Sequence, residues 1–365
     1  MLAQTQLTLV GKKIREISES PYFSKNINEY LSYLKNIADK LSEEGSNINE
    51  GIVIASTIFI TDAVNFFSGS TSKKIPYEVV YCLNDACQQW TDENTLITTA
   101  LSSDIHGFYF EYVNLSTQNI IEQTLNIKPS HDLIKISLPE IYRRRPLCST
   151  PLYHELGHYI DSTIGFSEFA SLNFCKKNKF DILPIFHNFD KNTWSNPDKK
   201  ELIDHKQEMW TNHCREYFAD LFSAQFVGRS GVDFLQRLAG NADASFTHPS
   251  TKDRVKVVED FLSGNSNTVV DMLNNIISLF SKANKVKQSG LLRPSSPPDI
   301  TSCFDNIRPF PITDRSHLHS FINEAWDYLC KTWDNPSGVW SELSKDTIES
   351  TVNDLVEKSI RNFMI

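Results

Sequence analysis

The chain has 365 residues, 40% of them hydrophobic, enough to fill a substantial core in one large domain with an appendage. Its formal charge of −9 leaves one short basic run, Arg143-Arg144-Arg145, which argues against nucleic acid, because such binders concentrate Lys and Arg to displace counterions from phosphates. No run reaches the roughly 18 apolar residues of a membrane span; the best, GIVIASTIFITDAVNFF from Gly51, is cut by Asp62.

The N-terminal MLAQTQLTLVGKKIREI lacks a secretory apolar segment and carries its charges after the apolar patch, so a cytoplasmic protein is expected. From about Lys12 to Phe67, apolar residues such as Ile27, Tyr30, Leu31, Leu34, Ile37 and Leu41 recur at helical spacing, predicting two or three helices, the last over about Ile48 to Phe67. SGSTSKKIP then breaks the pattern. Between Pro76 and Pro146, the β-branched and aromatic runs YEVVYCL, TLITTAL, GFYFEYVNL and DLIKISLP read as strands of a modest sheet. STQNIIEQTLNI reads as a helix among them, capped by Ser116 or Thr117. Seven cysteines without regular spacing fit a reducing compartment, and Cys82 and Cys87 read as buried small hydrophobes.

After Pro151 the pattern is helical: Leu152 to Ile164 with Gly165 as the stop, then the polar loop HNFDKNTWSNPDKK, then a long helix over Lys200 to Val227. Further helices are predicted over Gly231–Ala239, Thr251–Leu262 and Thr268–Ala283. KQSGLLRPSSPPDI, residues 287–300, reads as a linker, followed by one or two helices around Ser316 to Trp333 and Ser341 to Phe363. Trp326, Trp333 and Trp340, at sevenfold spacing, suggest an aromatic face packing those helices. The organisation expected is a helical region over 1–70, a core over 71–286, the linker, and a helical region over 301–365.

The stretch CSTPLYHELGHYIDSTIGF contains His154, Glu155 and His158 as H-E-x-x-H. On a helix, residues four apart share a face, so both imidazoles can address one ion while Glu155 stands beside a water that needs deprotonating. Catalytic zinc needs a third protein ligand and an open fourth position. Asp161 and Ile164 stand where a metzincin would need Gly and His, which excludes that pattern; nor is there a glutamate in NFCKKNKFDIL, about twenty residues on. In NHCREYFADLFSAQF, Glu216 and Asp220 are four apart on one face. Glu216 is preferred as third ligand because Asp220 can then accept a hydrogen bond from a ligating histidine and fix its tautomer. His213, three residues before Glu216, is the rival.

HELGH followed about sixty residues later by REYFAD resembles the gluzincin metallopeptidases, in particular the prenyl-protein (CAAX) endopeptidases and their bacterial heat-shock relatives. THPSTKDRV matches the His-Pro step followed by Arg that these families carry downstream. The resemblance spans about Pro146 to Leu262 and excludes the spanning helices of those membrane proteins. It implies a zincin-like core and leaves both ends unexplained; with the helices and strands read above, the fold expected is predominantly helical α+β, with a small sheet beside the H-E-x-x-H helix and N- and C-terminal helical elements. The resemblance also implies a zinc peptidase. His154, His158 and Glu216 would hold Zn2+, Asp220 would orient a ligand, Glu155 would be general base, and His248 and Arg254 would hold substrate or the oxyanion, with Tyr217 as another donor. DLIKISLP or GFYFEYVNL would offer an edge strand to an extended peptide.

The expected partner is a protein or peptide substrate, with the terminal helices open to a regulator. Against this stands a catalytically silent zincin-like binding or sensor module. The remaining histidines, His106, His131, His187, His205, His317 and His319, read as surface or loop residues, and Cys148, six before the first ligand, as a core cysteine rather than a latent zinc ligand.

Overall fold

The computed structural model describes residues 2–19, 25–44, 47–69, 75–91, 95–105, 107–177 and 199–365. It is predominantly helical, with one three-stranded sheet. The chain divides into two compact units: Met1–Asn84 with Asp92–Arg144, and Asp85–Thr91 with Arg145–Ile365.

In the first unit, α1 (Leu2–Ser18), α2 (Lys25–Glu44) and α3 (Glu50–Gly69) pack together. The stripe foreseen on α2 is its buried face: Ile27, Tyr30, Leu31, Leu34, Ile37 and Leu41. They meet Phe59, Ile60, Ala63, Val64 and Phe67 of α3 in one core. By length and composition Glu50–Ser68 would suffice to cross a membrane, and half of that window is buried in the unit. Asp62, which interrupts its apolar run, lines a cavity of about 820 Å³ together with Phe66, Glu111 and Lys135. Lys135 pairs with Glu111 and lies over the Phe66 ring at 4.7 Å.

α4 (Tyr77–Gln88) corrects the strand expected for YEVVYCL. Its buried residues, Val79, Val80, Cys82, Leu83, Ala86 and Cys87, recur at three and four, a period that β-branched composition masked. β1 (Thr95–Ser102), β2 (Tyr109–Tyr112) and β3 (Asp132–Pro139) form the sheet in the order β1-β3-β2. β3 runs parallel to β1, with Thr95 opposite Asp132, and antiparallel to β2, with Tyr109 opposite Ser137. DLIKISLP is therefore the central strand, hydrogen-bonded on both sides, and cannot accept a peptide as an edge. The crossover between the parallel strands includes α5 (Leu115–Leu125). Its cap is Asn114 rather than Ser116 or Thr117: the Asn114 side chain accepts a hydrogen bond from the Thr117 amide.

In the second unit, α6 (Pro151–Ile164), α7 (Phe166–Lys177), α9 (Ser230–Ala239), α10 (Thr251–Ser263) and α13 (Leu318–Asp334) all pack against α8 (Lys199–Val227). Trp90, fully buried, sits edge-on to Phe166 and Phe218 at 6.0 and 5.6 Å and tilted against Phe222 at 5.6 Å. α11 (Thr268–Lys282) packs on α7 and α10, and α14 (Lys345–Met364) on α13. The polar loop expected around His187 lies outside the described residues, as do the side chains of His106 and His205.

The 287–300 segment has no helix or strand, as its prolines and serines predict, yet it is pinned along its length. Lys287 N–H donates to the Trp90 carbonyl, Leu291 N–H to Asn274 Oδ1 and Leu292 N–H to Gln225 Oε1. Its chain passes into the short α12 (Thr301–Phe304). The three tryptophans do not share one face: Trp326 packs on Phe234, Trp340 on Tyr328, and Trp333 lies under the Lys345 ammonium.

Trp90 joins this core from a segment far from the helices it packs on. Trp90→Ala is expected to destabilise the protein by about 3–5 kcal/mol, read as a lower denaturant midpoint with little change in slope.

Candidate metal centre

The candidate ligands come from two helices whose approach the sequence makes close. α6 opens with Pro151 in its first turn and closes at Gly165, whose φ of 83° is the left-handed cap that glycine adopts without strain. Midway, Gly157 faces α8: a Cβ there would lie 2.8 Å from the Ala219 Cα and 3.1 Å from the Phe222 Cβ. The absence of a side chain at 157 thus sets how near the two backbones come. Tyr153 stacks on Phe226, and Asp161 faces Arg215 at 3.8 Å, so the helices run antiparallel.

Between these contacts, His154 and His158 project toward Glu216 with ring centroids 4.5 Å apart and planes nearly perpendicular. His154 Nε2 lies 3.5 Å from Glu216 Oε2, and His158 Nε2 lies 3.4 Å from Glu216 Oε1. These separations exceed a good N–H···O bond. They match instead the edge of a tetrahedron around a four-coordinate ion with ligand bonds of about 2.0–2.1 Å, an edge of about 3.3 Å. One ligand atom from each of the three residues falls within 4.8 Å of the others, so the group could hold a metal ion.

Asp220 fixes the tautomer. Its Oδ1 is 2.9 Å from His154 Nδ1, so that nitrogen carries a proton and donates it, and Nε2, which faces Glu216, is the atom that would turn a lone pair to a metal. Asp220 in turn accepts two hydrogen bonds of 2.7 Å from Arg254, through Nε and Nη2, and Arg254 Nη1 reaches Glu216 Oε2 at 3.2 Å. Arg254 is 5% exposed, with its guanidinium committed to both carboxylates. The Arg215–Asp220 pair that a solvated helix would form is not present; Arg215 addresses Asp161 instead.

The electrostatics follow from burial. Burial alone would raise the Glu216 and Asp220 carboxyls, but His154, His158 and Arg254 outweigh it, holding Glu216 well below the usual range and Asp220 below it. Burial would likewise favour neutral His154, yet hydrogen bonds and charge from Asp220 and Glu216 push it up to about 10. His158, also buried, is lowered, first by desolvation and then by its neighbour His154. Glu155 is pushed up to about 7 chiefly by burial, since His154 and Arg254 pull against Glu216.

The other sequence candidates divide. His213, the rival ligand, is fully buried and outside the three-residue group; its Nε2 donates to the Ser245 carbonyl at 2.7 Å, and burial lowers its pKa. That bond holds the 245–248 turn on α8. There the His248 Nδ1 shares a 2.8 Å hydrogen bond with the Thr247 hydroxyl, and its Nε2 lies 3.6 Å from Glu216 Oε1, with the side chain 56% exposed. Tyr217 is buried at 2% exposure, its phenol raised by desolvation. The Cys148 thiol is pushed up to about 12 by burial, a protonated group rather than a thiolate ligand.

Sequence reasoning missed the direct Arg254–Asp220 pair, whose signal lay in two carboxylates on a largely buried helix, which call for a buried cation. It also read His319 as a surface residue, whereas His319 is 6% exposed and hydrogen-bonded to Tyr153, the residue before His154. Compared with models of known families, with curated proteins and with solved structures, the chain gives no match in any of the three.

Arg254→Met keeps much of the side chain's bulk and removes its charge. It is expected to cost about 3–5 kcal/mol of stability, because Glu216 and Asp220 lose their shared counter-charge in a buried setting; chemical denaturation checks this. Gly157→Ala is expected to cost about 1–3 kcal/mol by wedging α6 from α8.

Proposed function

We propose that the chain is a zinc-dependent endopeptidase of the gluzincin type, with a zincin-like core built on α6 and α8. The observation that carries this reading is the spacing of His154 Nε2, His158 Nε2 and the Glu216 carboxylate at tetrahedral edges, with the neighbouring Glu155 outside that group. Two nitrogens and one carboxylate oxygen form a donor set suited to zinc, which when bound lowers the pKa of water and polarises a carbonyl.

The chain's own residues supply the rest. Glu155, pushed up to about 7 by burial, takes a proton from the attacking water at its carboxylate oxygen and returns it to the leaving amine. Asp220 keeps the His154 proton on Nδ1 throughout. His248, exposed and fixed at Nδ1 by Thr247, presents its Nε2 beside Glu216, where it can donate to the oxygen that gains charge as a peptide carbonyl is attacked. Arg254 belongs with Asp220 rather than with substrate: its donors hold the two carboxylates in place.

The test is metal analysis and peptide hydrolysis on the same preparations. Wild type purified without added zinc is expected to carry one equivalent of metal and to cut members of a peptide library. Glu155→Gln should keep the metal and lose activity by at least about 10²-fold. Wild type that holds no metal overturns the reading. Metal without cleavage of any peptide supports a silent binding module instead.

A further inference from the structure

The second unit also buries a run of titratable side chains outside the three-ligand group that ends on the motif helix. The Tyr153 hydroxyl is 2.9 Å from His319 Nδ1 on α13, and His319 Nε2 is 3.0 Å from Asp85 Oδ2. Asp85 also accepts from the Gln89 amide at 2.7 Å and from the Arg315 guanidinium. Tyr153, His319 and Asp85 are 3%, 6% and 3% exposed.

The direction of the protons follows from the acceptors. Asp85 is held ionised: burial works against this, but the His319 hydrogen bond and charge, with Gln89 and Arg315, keep its carboxyl below the usual range. His319 Nε2–H therefore donates to Asp85, while the Tyr153 hydroxyl and His319 Nδ1 share the second hydrogen bond. The rings around this chain are packed: Tyr153 stacks on Phe226 of α8 at 5.9 Å, and Phe226 and Tyr153 both meet the His319 ring edge-on, at 4.9 and 5.6 Å.

Where the chain ends matters for the metal centre. Tyr153 precedes His154, and the Tyr153–Phe226 stack sets α6 against α8 together with Gly157 on Ala219 and Asp161 facing Arg215. His154 and His158 sit between those contacts and Glu216 sits across from them, so a shift of α6 along α8 changes the spacing of the nitrogens from the carboxylate.

We propose that Tyr153, His319 and Asp85 are positioning residues for the metal centre, a hydrogen-bonded chain through which α13 and the last turn of α4 fix the register of α6 on α8 and thereby metal affinity. This rests on the metal-site reading given above. An apolar residue at 319 removes the 2.9 Å hydrogen bond of a buried phenol that stacks on Phe226, and the first turn of α6 is expected to shift in response.

The experiment uses the full chain and three variants. His319→Gln can still donate to Asp85 and hydrogen-bond Tyr153, His319→Leu can do neither, and Tyr153→Phe removes the hydroxyl alone. Zn2+ affinity is measured by competition with a chromophoric chelator, and Co2+ is added as a spectroscopic probe of ligand geometry. Both are read at a temperature where near-UV circular dichroism shows each variant fully folded. For His319→Leu the expected result is Zn2+ binding about 10- to 100-fold weaker, with a shifted Co2+ visible band. Tyr153→Phe should weaken binding less, and His319→Gln should stay close to wild type.

A folded His319→Leu with Zn2+ affinity and Co2+ spectrum unchanged overturns the proposal, as does His319→Gln weakened as much as Leu. If His319→Leu fails to fold, Tyr153→Phe decides: unchanged affinity overturns the proposal, and weakened affinity with a shifted band upholds it. Wild type that binds neither ion overturns the metal-site reading and this inference together, whereas wild type that binds, beside unaltered variants, overturns this inference alone.

Discussion

The site depends on one arrangement of buried charge: two carboxylates on successive turns of α8, Glu216 and Asp220, with 8% and 3% of their surface exposed. Glu216 and Asp220 lie on a helix whose neighbouring residues Tyr217, Phe218, Leu221 and Phe222 are all in the core. Ionised carboxylates there require positive charge or donated hydrogen bonds at close range. Arg254 supplies a planar fork that serves both at once, a job a lysine could not do with the same geometry. His154 supplies the third contact through Nδ1. The rest of the site is organised around satisfying those two groups.

That requirement couples local backbone choices to chemistry. Histidines four apart can face one ion by spacing alone, but a third ligand joins them only if the opposing helix brings its carboxylate within reach, and the Gly157–Ala219 approach allows this. A larger residue at 157 would leave the motif unchanged in sequence and move its partner. The H-E-x-x-H spacing is thus necessary and not sufficient; the small residues where α6 meets α8 carry as much of the geometry as the ligands do.

Much of this was legible in the sequence, and what was not has identifiable causes. The helix from 151 to 164 and its glycine stop, the long helix ending at Val227, and the shared face of Glu216 and Asp220 all follow from 3.6-residue periodicity and capping chemistry. YEVVYCL misled because Val and Tyr favour strands, whereas tertiary burial chose the helix. The Arg254–Asp220 pair and the Tyr153–His319–Asp85 chain join residues 34, 166 and 234 positions apart. No periodicity encodes such contacts; they arise only when helices distant in sequence are packed, and His319 on its own carried no pattern to distinguish it from a surface histidine.

The charge count at the centre bears on the metal reading proposed above. Glu155, Glu216 and Asp220 bring three negative charges when ionised, Arg254 brings one positive, and neutral histidines bring none. The residual field is strong enough to push His154 up to about 10 against the pull of its own burial. A dication shared by the two imidazoles and Glu216 balances that field without protonating a histidine, and it leaves Glu155 free to exchange protons near neutrality. A monovalent cation would leave one negative charge uncompensated in a largely buried site. Two imidazoles and a carboxylate suit nitrogen-tolerant metals, and the charge count suits a divalent one; both are in keeping with the zinc site proposed above.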